Sequence, residues 1–247
     1  MDTQGNPIMV IVGCGDYIGA AIARRFSQGG FTVCMGRRNG GKLAALVTEL
    51  GGDDGRAFAY DLDARDEDRV AEVFAEVETS VGAIDLVIFN VGGNVRFSVL
   101  ETTSRVFRKV WEMATFAGFL TAREAARHMV PRGAGAIFFT GASASMRGNA
   151  GFAAFGAGKA GLRSLAQSLA KELGPQNIHV AHLIIDAGVD TAFVRERIAA
   201  AGRDPDALPP DSLMNPASVA EAYWTLYHQR RDGWTFEMDL RPYGEKW

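Results

Sequence analysis

Short apolar runs alternate with amphipathic stretches along nearly the whole chain. Residues 8–12, β-branched and flanked by Pro7 and Gly13, predict a buried strand. Residues 17–28 carry Ile18, Ala21, Ile22 and Phe26 at helical spacing and stop at Gly29-Gly30, a helix-ending signal. The alternation continues with strands at 31–35, 56–60, 85–90, 134–140 and 178–185, and a short one near 234–238. Helices are predicted at 41–50, 66–81, 104–129, 152–173 and 216–229. Acids open the helix at 66, where the dipole favours them, and Pro131 is expected to end the long one. A polar, proline-bearing stretch separates the last two helices at 202–210.

Strands alternating with helices imply right-handed βαβ units and a parallel sheet covered on both faces. The strands are nearly continuous apolar runs, as burial on both faces requires. The expected fold class is therefore α/β: a Rossmann-type doubly wound parallel sheet of about seven strands, in three α/β/α layers, as one domain over residues 1–247.

Composition narrows the partners. Of 247 residues, 47% are hydrophobic and 22% charged, which excludes disorder, collagen and coiled coil. Lysine plus arginine number 26 against 29 acids, a net charge of -3 that argues against nucleic-acid or anionic-membrane surfaces. No apolar run reaches the roughly 18 residues of a membrane span. The start, Met1 to Pro7, has neither the basic nor the apolar region of a signal peptide, and Cys14 and Cys34 imply no disulfide framework. A cytoplasmic, soluble protein acting on a small-molecule substrate is expected. His179 and His182, three apart in a strand, point to opposite faces and make a poor metal pair, so no metal site is predicted.

Candidate chemistry begins at the first strand-to-helix turn, Gly13-Cys14-Gly15-Asp16-Tyr17-Ile18-Gly19. Glycines there let the backbone bring N–H groups and a helix N-terminus against a pyrophosphate. After the second strand comes Gly36-Arg37-Arg38 with no acid nearby. An acid would bind a ribose 2′-hydroxyl, whereas a guanidinium suits a 2′-phosphate. These residues point to NADP(H) rather than NAD(H).

On these residues the chain resembles the short-chain dehydrogenase/reductase family over essentially its whole length. The family's Thr-Gly-x-x-x-Gly-x-Gly motif is matched by Gly13 and Gly19, with Val12 for the threonine, Tyr17 for the middle glycine and Gly15 as an extra one. The resemblance implies that Asp61, with the backbone of Leu62, holds the adenine. Phe89-Asn90-Val91-Gly92 is similar to Asn-Asn-Ala-Gly, matching Asn90 and Gly92, and Thr191 resembles the threonine that touches the nicotinamide amide. Gly15, Ile18, Arg37 and Arg38 complete the implied cofactor set. Lys159 occupies the lysine of Tyr-x-x-x-Lys, and residues 190–213 form the implied substrate-specificity loop.

Departures gather at the chemistry. Phe155 stands at the tyrosine that donates the proton, Ala114 at the relay asparagine, and Ala142, thirteen residues before Phe155, at the serine. Replacements considered from the sequence are Ser143 and Asp186, each following a strand that ends at the crevice, with Lys159 retained. A carboxyl in a dry pocket holds a raised pKa and can donate, which is the expectation for Asp186. Ser145, Phe152 and Phe155 are expected to line the substrate pocket. The leading reading is an NADP(H)-dependent oxidoreductase acting on a small carbonyl or alcohol. Its rivals are a non-catalytic nucleotide-binding or regulatory relative, and a non-redox enzyme. The resemblance also implies a homotetramer or homodimer built on helices 104–129 and 152–173, with the aromatic tail 243–247 adding a contact.

Overall fold

The computed structural model describes residues 5–245. Residues 1–4, which entered the reading of targeting signals, and residues 246–247 of the aromatic tail lie outside the described residues. The strands are β1 Ile8–Val12, β2 Thr32–Arg37, β3 Ala57–Asp61, β4 Ile84–Phe89, β5 Gly135–Thr140, β6 Ile178–Ile185 and β7 Glu237–Leu240. All neighbouring pairs are parallel, in the order β3-β2-β1-β4-β5-β6-β7. Every residue of β1 and β6 is buried; β1 is apolar throughout, and β6 is apolar except for His179 and His182.

Among the described residues the α-helices are α1 Ile18–Gln28, α2 Ala44–Glu49, α3 Glu67–Ser80, α4 Ser104–Trp111, α5 Ala117–Arg132, α6 Ala153–Leu173, α7 Ala192–Ala200 and α8 Pro216–Tyr227. On one face Phe26 of α1, Phe31, and Trp224 and Tyr227 of α8 meet edge to face at 5.0–6.2 Å. On the other, Val70, Phe74 and Val77 of α3, Ala122 of α5, and Leu162 and Ala166 of α6 are all fully buried in one cluster. Each fully buried large apolar side chain contributes about 1.5–3 kcal/mol by leaving water.

Three expectations are corrected, and the 190–213 segment is given its secondary structure. The helix predicted at 104–129 is interrupted by a π turn, Glu112–Phe116, and runs past Pro131 to Arg132, where Gly133 closes it at φ 61. Proline in the last turn removes only one ladder bond and so does not stop the helix. The stretch 41–50 is a 3-10 turn, Gly40–Leu43, followed by α2. The last strand starts three residues later than predicted, because Glu237 and Asp239 give an edge strand no apolar run to mark it. The loop 190–213 contains α7 and a short 3-10 turn, Pro205–Ala207.

Register places the chemistry. Val12 pairs with Gly36 of β2 on one side and Phe89 of β4 on the other. Gly13, Arg37 and Asn90 therefore emerge together at the carboxyl ends of three adjacent strands. The chain reverses its winding direction between β1 and β4, the position at which open α/β sheets form a binding crevice.

Candidate active site

A cleft of about 780 Å³ opens at that reversal point and extends across β1, β4, β5 and β6. Gly13, with φ +89, forms its floor; a Cβ there would lie 2.8 Å from the Asn90 carbonyl oxygen, so only glycine fits. Gly15 and Gly92 both line the cleft, and a Cβ on either would meet nothing within 4 Å. Bare backbone thus faces open space beside the first turn of α1, a combination suited to a pyrophosphate. Ile18 and Gly19 line the same end.

At the end of β2 the cleft is cationic. Arg37 and Arg38 both line it, but Arg37 Nη1 is committed to Asp16 Oδ1 at 2.7 Å. Arg38 and Lys42 line the cleft and form no ion pair among the described residues. The sequence reading missed Lys42, although its position four residues past Arg38 on the turn after β2 was a usable signal. Leu62 lines the cleft as expected, whereas Asp61 does not: its Oδ1 accepts the Gly40 N–H at 2.6 Å and fixes the turn after β2. Asp63 and Arg65, paired at 2.6 Å, occupy the lining instead.

At the other end stand Asn90, Asn94, Met113, Thr140, Ala142, Phe155 and Lys159. Asn94 and Met113 also escaped the sequence reading; Asn94 lies two residues beyond Gly92 on the segment leaving β4, a position that could have suggested it. Lys159 is 3% exposed, and its Nζ donates to Thr140 O at 2.8 Å and Val91 O at 3.2 Å. Burial, with no carboxylate partner to offset it, lowers its pKa from 10.5 to about 8. Two carbonyl acceptors leave one N–H of the ammonium uncommitted. Asn90 Nδ2 donates to Gly13 O at 3.1 Å, and Thr140 Oγ1 donates to Asn90 Oδ1 at 3.0 Å with the buried Tyr223 hydroxyl 2.7 Å behind it. This chain ties the glycine turn to the lysine.

The replacement donors proposed from sequence are not where donation needs them. Asp186 is absent from the lining, and Arg147 Nη2 holds both its oxygens, at 2.8 and 2.9 Å. Burial raises its pKa, but hydrogen bonds from Ser143 and Arg147 and the charges of Arg147 and Arg241 outweigh it. The net shift is downward, opposite to the raised pKa expected. Asp186 is a fixed carboxylate, and Ser143 is turned toward it rather than into the cleft. Ser145 Oγ accepts the Ala142 N–H at 3.1 Å, capping its own turn. Phe152 packs with Phe155, Val110 and Ala154 behind the wall, leaving Phe155 as the one of the three predicted pocket residues that lines the cleft. Ala114 is fully buried within the π turn. Thr191 lines the cleft and caps α7 by accepting the Val194 N–H at 3.2 Å.

Among the described residues no group of three or more His, Cys, Asp or Glu side chains is arranged to hold a metal, and no helix is long and apolar enough to cross a membrane.

Known proteins of the same shape share this arrangement of elements. A crystal structure of a short-chain dehydrogenase from Rhodopseudomonas palustris is 51% identical, covering 97% of this chain and 100% of its own, with a TM-score of 0.82. ElxO with NADP bound matches at a TM-score of 0.84 and 20% identity over 95% of this chain and 96% of its own. A 2-dehydro-3-deoxy-D-gluconate 5-dehydrogenase of Formosa agariphila is 28% identical over 72% of this chain and 68% of its own. The short chain dehydrogenase family model matches residues 7–201. With the glycine turn, Asn90 and Lys159 in place in a parallel sheet of this order, the chain belongs to the short-chain dehydrogenase family.

Proposed function

We propose that the protein is an NADP(H)-dependent oxidoreductase that interconverts a small carbonyl compound and its alcohol, with Lys159 rather than a tyrosine as the proton donor. The observation that carries this reading is the single continuous cleft running from bare glycine backbone to a buried lysine. Arg38 and Lys42 would hold the 2′-phosphate, Gly15 and the first turn of α1 the pyrophosphate, and Thr191 the nicotinamide amide. NADP bound to the structural neighbour ElxO supports the cofactor class. When bound, such a cofactor supplies or accepts the hydride.

The chain's own residues handle the proton. Among the lining residues around Phe155, Lys159 is the titratable one, since Asp186 and Ser143 face away. A carbonyl oxygen beside Nζ receives its uncommitted proton as negative charge develops, and the lysine gives up its positive charge in the step. A pKa of about 8 lies close to neutrality, where a general acid is both protonated and willing to donate. The apolar wall of Phe155, Ala142 and Met113 excludes water from that proton.

Incubating the protein with NADPH and a carbonyl panel, and following absorbance of the reduced nicotinamide, tests the reading. NADPH binding without turnover on any carbonyl would favour the non-catalytic relative, to which Phe155 and Ala114 already point. Neither binding nor turnover would overturn both.

We also propose self-association. Phe107, Trp111 and Phe119 on α4 and α5 are each at least 40% exposed, and Trp111, Phe116 and Phe119 stack in series at 5.9 and 6.4 Å. An exposed aromatic run of this extent fits a second copy of the chain.

A further inference from the structure

Tyr17 stands where the family motif has glycine, and its side chain is neither buried nor idle. It is 41% exposed, and its hydroxyl accepts the backbone N–H of Ala192 at 3.0 Å, across 175 residues of sequence. Tyr17 belongs to the turn after β1, and Ala192 begins α7 after β6. Those strands are separated in the sheet by β4 and β5, a gap of roughly 14 Å at ~4.8 Å per strand. The link is therefore made over the carboxyl ends of the two strands that floor the cleft. Tyr17 and Thr191 both line that cleft.

The segment that Tyr17 holds is braced within itself and joined to the rest of the fold by few contacts. Arg195 pairs with Asp190 at 2.5 Å and with Asp206 at 2.7 Å, bracing 190–213 internally. Its root is a single parallel bridge, Val189 with Met214, formed by Met214 N–H to Gly188 O and Asp190 N–H to Met214 O, each 2.9 Å. Ile198 is the one buried residue of α7. With so little apolar anchoring, a hydrogen bond at the first residue of the helix is a large share of what positions it.

We propose that Tyr17 is a positioning residue, a latch whose hydroxyl holds α7, and with it Thr191, over the cleft, so that release of a bound dinucleotide requires the Tyr17–Ala192 bond to open. The cofactor half of this proposal rests on the function proposed above; the latch itself does not.

Tyr17→Phe keeps the ring and removes only the hydroxyl. In the ligand-free protein, hydrogen–deuterium exchange is expected to accelerate in peptides spanning residues 190–200 and to stay unchanged in α1 and the sheet. NADPH release, followed by stopped-flow fluorescence, is expected to become roughly three- to tenfold faster, the range one hydrogen bond carries. Unchanged exchange overturns the latch. Accelerated exchange with unchanged release overturns its control of the cofactor. If Tyr17→Phe matches wild type while Tyr17→Gly tightens NADPH, the ring is an obstruction and the proposal fails. Binding of NADPH by neither protein overturns the cofactor half together with the proposed function, and the exchange result separates that failure from the absence of a latch.

Discussion

Phe155 and Lys159 lie one helical turn apart on α6 and both face the cleft, so an inert ring occupies the wall beside a buried ammonium. If Lys159 is the donor, Lys159→Met should lower turnover of NADPH-dependent carbonyl reduction by about 10²–10⁴-fold, the range of a lost general acid. Phe155→Tyr would put a phenol beside the ammonium, whose charge lowers the phenol's pKa. A rise in kcat of about tenfold or more is expected from that second donor. Retained turnover in Lys159→Met would sink the assignment. Restoring the relay asparagine by Ala114→Asn would be a poor test. Ala114 is fully buried, and even a Cβ on Gly158 would come within 3.0 Å of its own, so a larger side chain disturbs the packing of α6 on the π turn.

The pH profile follows from the same lysine. Reduction needs Lys159 protonated, so kcat/KM for reduction should fall as pH rises through about 8, and alcohol oxidation should rise over the same range. Lys159→Arg, which keeps the charge at all accessible pH, should abolish the break rather than shift it. The sign for stability is separate. The folded pKa of about 8 lies below the ordinary 10.5, so between those values the unfolded chain binds a proton that the folded one does not. Stability from this group therefore rises with pH across that window. A reduction profile flat from pH 6 to 10 would exclude Lys159 as the acid.

Cofactor preference should depend more on Arg38 and Lys42 than on Arg37. The Asp16 carboxylate is paired with Arg37 at 2.7 Å, whereas among the described residues Arg38 and Lys42 form no ion pair within 4 Å, Arg38 acting on Asp63 only from a distance. Arg38→Ala is expected to weaken NADPH by about tenfold or more, consistent with ~1.5–3 kcal/mol for a charge-assisted hydrogen bond, and to leave NADH nearly unchanged. Arg37→Ala should cost less than Arg38→Ala. Fluorescence titration with both nucleotides checks the order, and a larger loss from Arg37→Ala would reverse the assignment.

Much of this molecule can be read from its sequence because a parallel sheet leaves a strong trace. Buried strands such as β1 and β4 are apolar runs, broken in β4 by Asp85 alone, and glycines mark the ends of α1 and α5. The glycine turn, Asn90 and Lys159 were legible for the same reason: each follows directly from a strand or a helix whose register is fixed. What failed was the direction of side chains whose partners are distant. Asp186 looked like a pocket acid, yet Arg147, 39 residues earlier, claims it. Asp61 turned back to Gly40, and Tyr17 reached Ala192. The π turn and α7 left no periodic signal, the first because it adds one residue to a helix, the second because only Ile198 is buried.

Self-association should be sensitive to the aromatic run on α4 and α5. Trp111 and Phe119 are 42% and 40% exposed, and a charge on either would face the partner copy without touching the chain's own core. Trp111→Glu with Phe119→Glu is expected to yield a folded monomer of 26.6 kDa by light scattering at micromolar concentration, with wild type at two or four times that mass. A monomeric wild type would remove the proposal outright.

Acid stability should be governed by His182, which is fully buried between β5 and β7. Its Nδ1 lies 3.1 Å from Glu237 Oε2, and Arg163 holds the same carboxylate at 2.5 Å. Burial lowers the imidazole pKa to about 4, against the raising effect of Glu237 and with Lys159 and Arg163 lowering it further. The Nε2 side abuts Gly141, where a Cβ would lie 2.4 Å away, so no solvent reaches the ring to support a charge. Below pH 6.5 the unfolded chain takes up a proton that the folded one resists down to about 4, so stability falls as pH falls through that window. The full displacement corresponds to roughly 3 kcal/mol, at 1.36 kcal/mol per unit. Glu237, whose own pKa is lowered chiefly by its hydrogen bond to Arg163, adds a loss of the same sign as its carboxylate protonates. His182→Gln keeps a polar side chain of similar reach and cannot titrate. Urea unfolding of wild type should lose stability steeply between pH 6.5 and 4, and His182→Gln should flatten that slope while being less stable at pH 7; equal slopes in the two proteins would place the acid sensitivity elsewhere.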